Sequence, residues 1–290
     1  MSIREIPAAA ITDAVEALCI EANTRLPADV KAALDAAEAV EPWPLAKETL
    51  GLLQQNLCVA KEKDLPICQD TGMACVFIEL GQDAHIDGDL TDAVNEGVRR
   101  GYEKAFLRKS ITADPLQRVN TGDNTPAFLT VHLVPGSGCK ITVAPKGAGS
   151  ENMSRLAMLK PADGVEGVKK FVLDTVEQAG ANPCPPIVLG IGIGGSFDHC
   201  AALAKKALLR PLDEPNADPY YAALEKELLD AINATGFGPQ ALAVPRPAWG
   251  LPLSKSPPMW PACPWPSTSA ATSPAAPAAR CKEAQRCNMY

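Results

Sequence analysis

Positive charge is scarce in this 290-residue chain. Its 27 lysines and arginines face 34 acids, for a formal net charge of −7. That argues against a nucleic-acid partner, which needs clustered Lys and Arg to displace counterions from phosphates. It does not forbid an anionic small substrate, because a few local arginines suffice. Long apolar runs are also missing. None approaches the ~20 residues that span a bilayer, so no membrane partner is expected. The N-terminus, MSIREIPAAAITDAVEALC, carries early acids and no long apolar centre. It is not read as a secretory signal, and the chain is placed in the cytoplasm. The ten cysteines include no CxxC pair, which removes zinc ribbons and thioredoxin-like sites as first readings. In a cytoplasmic chain they are not a disulfide framework either. Inert buried thiols remain, or metal ligands brought together from distant loops.

What is present suffices for a core: 47% of residues are hydrophobic and 21% charged. The length fits one large domain or two modest ones. Residues 8–60 read as helices, with Ile11, Val15, Leu18 and Cys19 on one apolar face. Pro27 opens a second helix, and Pro42 and Pro44 punctuate before a third. Residues 74–80 read as a strand, and Asp89 caps a helix that runs to about Phe106. Residues 128–134 and 140–144 look like paired strands. PKGAGSEN is expected to lead into a helix, MSRLAML, with free N–H groups suited to an anion. Further helices are expected over about 165–179 and 219–233. The fold class is therefore mixed α/β (α+β): a helical N-terminal layer over about 1–64, then a mixed sheet with packed helices over about 65–240.

Pro66–Gly72, PICQDTG, sets a thiol, an amide, a carboxylate and a hydroxyl on four successive residues ahead of an apolar run. For Cys68 alone, a buried cysteine beside a turn is the simpler account. A polar tract follows over 107–127, LRKSITADPLQRVNTGDNTPA. It reads either as a solvated loop or as a carboxylate clamp built on Arg108, Lys109 and Arg118. Asn120, Gly122, Asp123 and Asn124 read as turn formers. Cys184 lies between prolines in NPCPP, so its backbone is held stiffly. Gly190–Gly195 formally matches the GxGxxG dinucleotide fingerprint. The region that should form the second strand, ALLRPLDEPN, is a poor strand, so a tight strand-to-helix turn is expected instead. A dinucleotide enzyme is accordingly a remote alternative. His199 and Cys200 read as structural, and His85 and His132 have no supporting context.

From Ala241 the character changes. Ten of the 27 prolines and three of the four tryptophans fall in the last 50 residues, which hold one acid, Glu283. This stretch is expected to be irregular. It reads either as a disordered Pro/Ala-rich tail or as translation in a shifted frame. Taking the last base of each codon with the first two of the next, Met259, Trp260 and Pro261 force Val-Ala. Across Pro258–Thr272 that frame permits His-Val-Ala-Gly-Leu-Pro-Val-Ala-Val-Asn-Ile-x-Cys-His, a sensible buried strand ending in Cys-His. The tail is therefore expected to be frameshifted.

PICQDTG, RKSITADP, RVNTGDNTPA, PKGAGSENMSRLAML, NPCPP and GIGIGGSFDHCAALAKKALLR occur in family order from about residue 40 to Gln240. Together they resemble the alpha subunit of class I fumarate hydratase and its close relative, the L(+)-tartrate dehydratase alpha subunit. The resemblance implies a [4Fe–4S] hydro-lyase whose cluster is held by three cysteines, leaving one iron open as a Lewis acid for the leaving hydroxyl. Cys68 and Cys184 match two of those ligands. The third belongs to a VAVNxxCH motif that appears only in the shifted frame, at the codons of Ala270 and Ala271, and Cys263, Cys281 and Cys287 have the wrong surroundings to replace it. The resemblance further implies Gln69 and Asp70 beside the substrate, Arg108 on a carboxylate and Gly149 as a backbone contact. It assigns the base to a separate beta subunit, in a heterodimer or heterotetramer. Fumarate hydratase is the first expectation and tartrate dehydratase the second. A non-catalytic iron–sulfur or degenerate subunit is the alternative that the missing cysteine raises.

Overall fold

The computed structural model describes residues 3–236 and 238–239, together with the strand backbones of 248–250, 253–255 and 267–272. The chain opens with β1 (Arg4–Pro7), α1 (Ala8–Thr24), α2 (Ala28–Val40) and α3 (Pro44–Lys63). Next come β2 (Met73–Gly81), β3 (Ala84–Asp87), α4 (Leu90–Lys104), β4 (Phe128–Val134) and β5 (Cys139–Lys146). A four-residue turn of helix, α5 (Ala148–Glu151), leads to β6 (Arg155–Leu159) and α6 (Gly164–Ala179). Then follow β7 (Ile187–Val188), β8 (Gly190–Ile193), α7 (Phe197–Ala207) and α8 (Pro219–Asn233). Three short strands close the described part: β9 (Ala248–Gly250), β10 (Leu253–Lys255) and β11 (Ser267–Thr272). The mixed α/β class is as expected. Among the described residues no helix is long and apolar enough to cross a membrane.

The chain divides into two compact units, each discontinuous in sequence. The first takes Met1–Pro27 and Asn56–Ala148; the second takes Ala28–Gln55 and Gly149–Ala275. In the first unit β2 is the middle strand of a sheet ordered β4-β2-β5. Period-two alternation sends Ala74, Val76 and Ile78 to one face, where they meet Ile11, Val15 and Leu18 of α1 and Val94 and Val98 of α4. On the other face Glu79 pairs with Lys140 across the strands. Helix α4 presents Ala93, Val94, Gly97, Val98, Gly101 and Tyr102 to the core, spacings that keep one side of a 3.6-residue helix. Asp89 caps it by accepting the N–H of Asp92, as the sequence suggests. Residues 128–134 and 140–144 do not pair with each other, contrary to expectation. β2 lies between them, parallel to β4 and antiparallel to β5. Strand order depends on which edges can be covered, and adjacency along the chain does not reveal it.

The second unit packs α6 and α8 on β7 and β8 through Val168, Val172, Val176, Leu224, Leu228 and Ile232. Its larger sheet runs β10-β8-β11-β6. One expectation is corrected here. MSRLAML is not a helix: helix α5 stops at Glu151, and 155–159 is a strand paired antiparallel with β11. Five residues are too few for periodicity to separate strand from helix, and the partner strand comes from more than 100 residues downstream. Of the last 50 residues, only the short strands β9, β10 and β11 are described; the rest of that stretch lies outside the described residues.

The glycine run 190–195 does the work of close packing. Strand β8 gives way at Gly194 and Gly195, both at positive φ, to α7. A Cβ at Gly190 would lie 2.2 Å from the Ala204 carbonyl oxygen, and one at Gly192 equally close to that of Cys200. Helix α7 therefore rests directly on strand backbone, where only hydrogen fits, and Cys200 donates its thiol to the Gly192 carbonyl at 3.4 Å. Gly192→Ala is expected to force α7 off β8 and to lower unfolding free energy by about 1–3 kcal/mol. Urea denaturation of the purified variant measures it, and an unchanged midpoint would contradict the packing account.

Candidate functional site

The polar loop 65–72 is tethered at every turn. The Leu65 N–H bonds the Ala60 carbonyl at the end of α3, and the Ile67 N–H bonds the carbonyl of Asn23 at 2.8 Å. The Asn56 side-chain amide donates to the Ile67 carbonyl at 2.8 Å. At the far end Gly72 adopts φ 63°, and a Cβ there would fall 2.2 Å from the Lys146 carbonyl oxygen. Tyr102, fully buried, donates its hydroxyl to the carbonyls of Thr71 and Gly72, each at 3.1 Å. The loop is thus a rigid shelf whose exposed edge carries the candidate side chains. Cys68 is half-buried and its sulfur accepts the Asp70 N–H at 3.4 Å. Gln69 is exposed and Asp70 half-buried. Thr71, 2% exposed, points inward and donates its hydroxyl to the Arg108 carbonyl at 3.0 Å.

That last bond joins the shelf to the tract 107–127. The tract is a bonded excursion rather than a loose loop. Asn120 donates to the Lys109 carbonyl, the Thr121 N–H bonds the Ile111 carbonyl, and Asp114 accepts the N–H groups of Leu116 and Gln117. Asn124, fully buried at φ 64°, accepts the Ser110 N–H at 2.6 Å and the Ile111 N–H at 3.3 Å, and donates to the Gly72 carbonyl at 3.2 Å. Arg108, Lys109 and Arg118 are exposed. Residue types at turns were legible for Asp123 and Asn124, but their partners were not. Tyr102 and Asn23 gave no signal beyond lying on helices.

In the second unit Gly149 lies in α5, where a Cβ would come 3.1 Å from the Asn182 carbonyl oxygen. Asn182 begins the proline-bounded turn of Cys184, and its amide reaches the Met153 sulfur at 3.4 Å. Cys184 is exposed and sits at φ 55°. A left-handed conformation in a non-glycine residue costs of order 1 kcal/mol and is retained where the surroundings enforce it. Here the Cys184 N–H bonds the Ala181 carbonyl at 2.9 Å. The six expected site residues thus divide: Cys68, Gln69, Asp70 and Arg108 in the first unit, Gly149 and Cys184 in the second. Other thiols are differently placed. Cys19, Cys75 and Cys200 are buried, and burial pushes the Cys19 thiol up to about 12, which leaves it inert. Among the described residues no three His, Cys, Asp or Glu side chains gather as a metal site.

Residues 12–250 match the family model described as fumarate hydratase (Fumerase). The chain belongs to the fumarate hydratase family. A Methanocaldococcus jannaschii protein with the provisional name L(+)-tartrate dehydratase subunit alpha is 44% identical over 240 residues, covering 80% of this chain and 84% of the relative. The L(+)-tartrate dehydratase subunit alpha of Escherichia coli strain UTI89 is 33% identical over 236 residues, covering 80% and 78%. Its counterpart in strain K12 is 32% identical over the same length. Fumarate hydratases and tartrate dehydratases are hydro-lyases, and this fumarate hydratase family member is an enzyme subunit of that class.

One charge locks the tract. Asp123 accepts both the N–H and the hydroxyl of Thr125, and pairs with Arg99 at 3.0 Å. Burial works to raise its carboxyl, but the Thr125 and Arg99 hydrogen bonds outweigh that and hold it at about 2, below the usual 3.8. A carboxyl depressed by folding adds stability above its unfolded pKa and loses it as pH falls through the folded value. Asp123→Asn is therefore expected to cost up to about 2 kcal/mol near neutrality, with the gap closing between pH 4 and about 2. Urea titrations of both proteins across that range measure it, and a gap independent of pH would refute the assignment.

Proposed function

We propose that the chain is the alpha subunit of a two-part hydro-lyase that acts on a C4 dicarboxylate, interconverting fumarate and (S)-malate. The observation that carries this reading is the bonded frame joining residues 68–72 to 108–111. It holds an amide, a carboxylate and a guanidinium on one scaffold within the first unit. In this reading Arg108 takes one substrate carboxylate through paired N–H donors. Gln69 and Asp70 orient the hydroxyl-bearing carbon by hydrogen bonding, and Gly149 offers its backbone N–H. The proton leaves the neighbouring carbon to a base on the beta subunit, in a cytoplasmic heterodimer or heterotetramer. Substrate charge suits the exposed cations of the 108–118 tract despite the acidic chain.

L(+)-tartrate is the second substrate reading, favoured by the names of the relatives. The same diacid contacts serve either molecule.

The cofactor of this reading is a [4Fe–4S] cluster, with Cys68 and Cys184 as two of its ligands. Their thiol chemistry and accessibility support that role. A cluster with one open iron takes a third protein thiolate, and among the described residues no third one gathers with Cys68 and Cys184. We place the third thiolate in the shifted frame. Residues 1–240 then form the alpha-type domain, and 241–290 are the product of a frameshift. For the polypeptide as written, a non-catalytic or degenerate subunit is the alternative that the missing third cysteine raises.

Resequencing the gene and its downstream neighbour tests both parts. The expected finding is a shifted frame encoding Cys-His at the codons of 270–272 and a short beta-type frame after it. Anaerobic reconstitution of the frame-restored chain with that partner should then hydrate fumarate or dehydrate tartrate. Cys68→Ser or Cys184→Ser should lower bound iron and cut activity at least about 100-fold, as loss of a metal ligand does. A confirmed frame through Tyr290 ends the frameshift reading. A complex that takes up iron but turns over neither diacid ends the enzymatic one.

A further inference from the structure

We infer that Asn124 is a positioning residue for the diacid site, setting the Arg108 guanidinium against Asp70 without touching substrate. The inference rests on the reading of Arg108 as a carboxylate ligand. Asn124 is fully buried, and three of its side-chain bonds go to backbone: Oδ1 accepts from Ser110 and Ile111, and Nδ2 donates to Gly72. Two N–H groups face one end of the amide and a carbonyl faces the other, so the orientation of the amide follows from its partners.

With the Thr71–Arg108 bond this makes a two-point clamp. Residues 71 and 72 are held on one side, and 108, 110 and 111 on the other. Asp70 lies next to the clamp on the first segment and Arg108 within it on the second, so these bonds fix the separation of the two backbones that carry them.

The residue type is also constrained. A position at φ 64° tolerates Asn better than most side chains. Ionised Asp would keep both acceptor contacts but set an anion against the Gly72 carbonyl. Leu would leave three buried backbone groups unmet. Asp123 anchors the clamp from outside through Thr125 and Arg99, which fixes the backbone that carries Asn124.

The test is a double-mutant cycle on the alpha–beta complex, reading the half-saturating concentration of (S)-malate by calorimetry. Asn124→Gly keeps the left-handed backbone and deletes the clamp. Amide exchange at Ser110 and Ile111 should quicken, and half-saturation should rise about tenfold, the cost of about one to two lost hydrogen bonds. In the Arg108→Ala background the same change should add less than about twofold, because coupled residues are not additive. An equal rise in both backgrounds overturns the inference while leaving Arg108 a ligand. A half-saturation unmoved by Arg108→Ala overturns the reading of Arg108 and the inference with it. If Asn124→Gly does not assemble, Asn124→Asp carries the same cycle, with the same outcomes deciding.

Discussion

Gly72 is the constraint on which the first unit's site turns. Its missing Cβ lets the chain press against the Lys146 carbonyl. Its own carbonyl collects the Tyr102 hydroxyl and the Asn124 amide. One residue thereby ends a polar shelf, begins the central strand β2 and meets the arginine-bearing tract. A side chain there would separate all three. The buried bonds around it carry weight because each unmet backbone group in a dry interior costs about 1–3 kcal/mol. The exposed ion pairs are worth far less. Arg25–Asp64 and Lys226–Asp230 bridge largely solvated side chains, and such pairs contribute about 0–1 kcal/mol.

The candidate residues at the edge of the shelf, Cys68, Gln69 and Asp70, are exposed or half-buried, while those that hold the shelf, Thr71, Tyr102 and Asn124, are buried. In the proposed reading a dicarboxylate meets groups that are already ordered, so less freedom is lost on association. The second unit uses the same device differently. Cys184 is exposed at the tip of a proline-bounded turn whose backbone is held in a conformation unusual for cysteine.

Much of the secondary structure was readable. The apolar faces of α1 and α4, the Asp89 cap and the strand-to-helix turn at 194–195 depend on residues close in sequence. MSRLAML misled because its apolar residues fit either period, and a strand partner over 100 residues away decided the matter. Strands β4 and β5 misled because a short connection looks like a hairpin, whereas β2 claims an edge of each. The motif residues Cys68, Gln69, Asp70, Arg108, Gly149 and Cys184 were visible as chemistry. Asn124 was visible only as a turn former, since its partners include a carbonyl 52 residues away.

Sequence alone determined which functional groups this chain can offer, where its helices start, and that two thiols lie in stiff polar contexts. Those depend on covalent identity and on interactions within a turn or two. Tertiary structure alone decided the strand order, the strand at 155–159, and the bonding of Thr71 and Asn124 that couples the carboxylate-bearing loop to the guanidinium-bearing one. Burial makes that difference: a polar group inside must find a partner wherever the fold brings one, and local sequence does not name it.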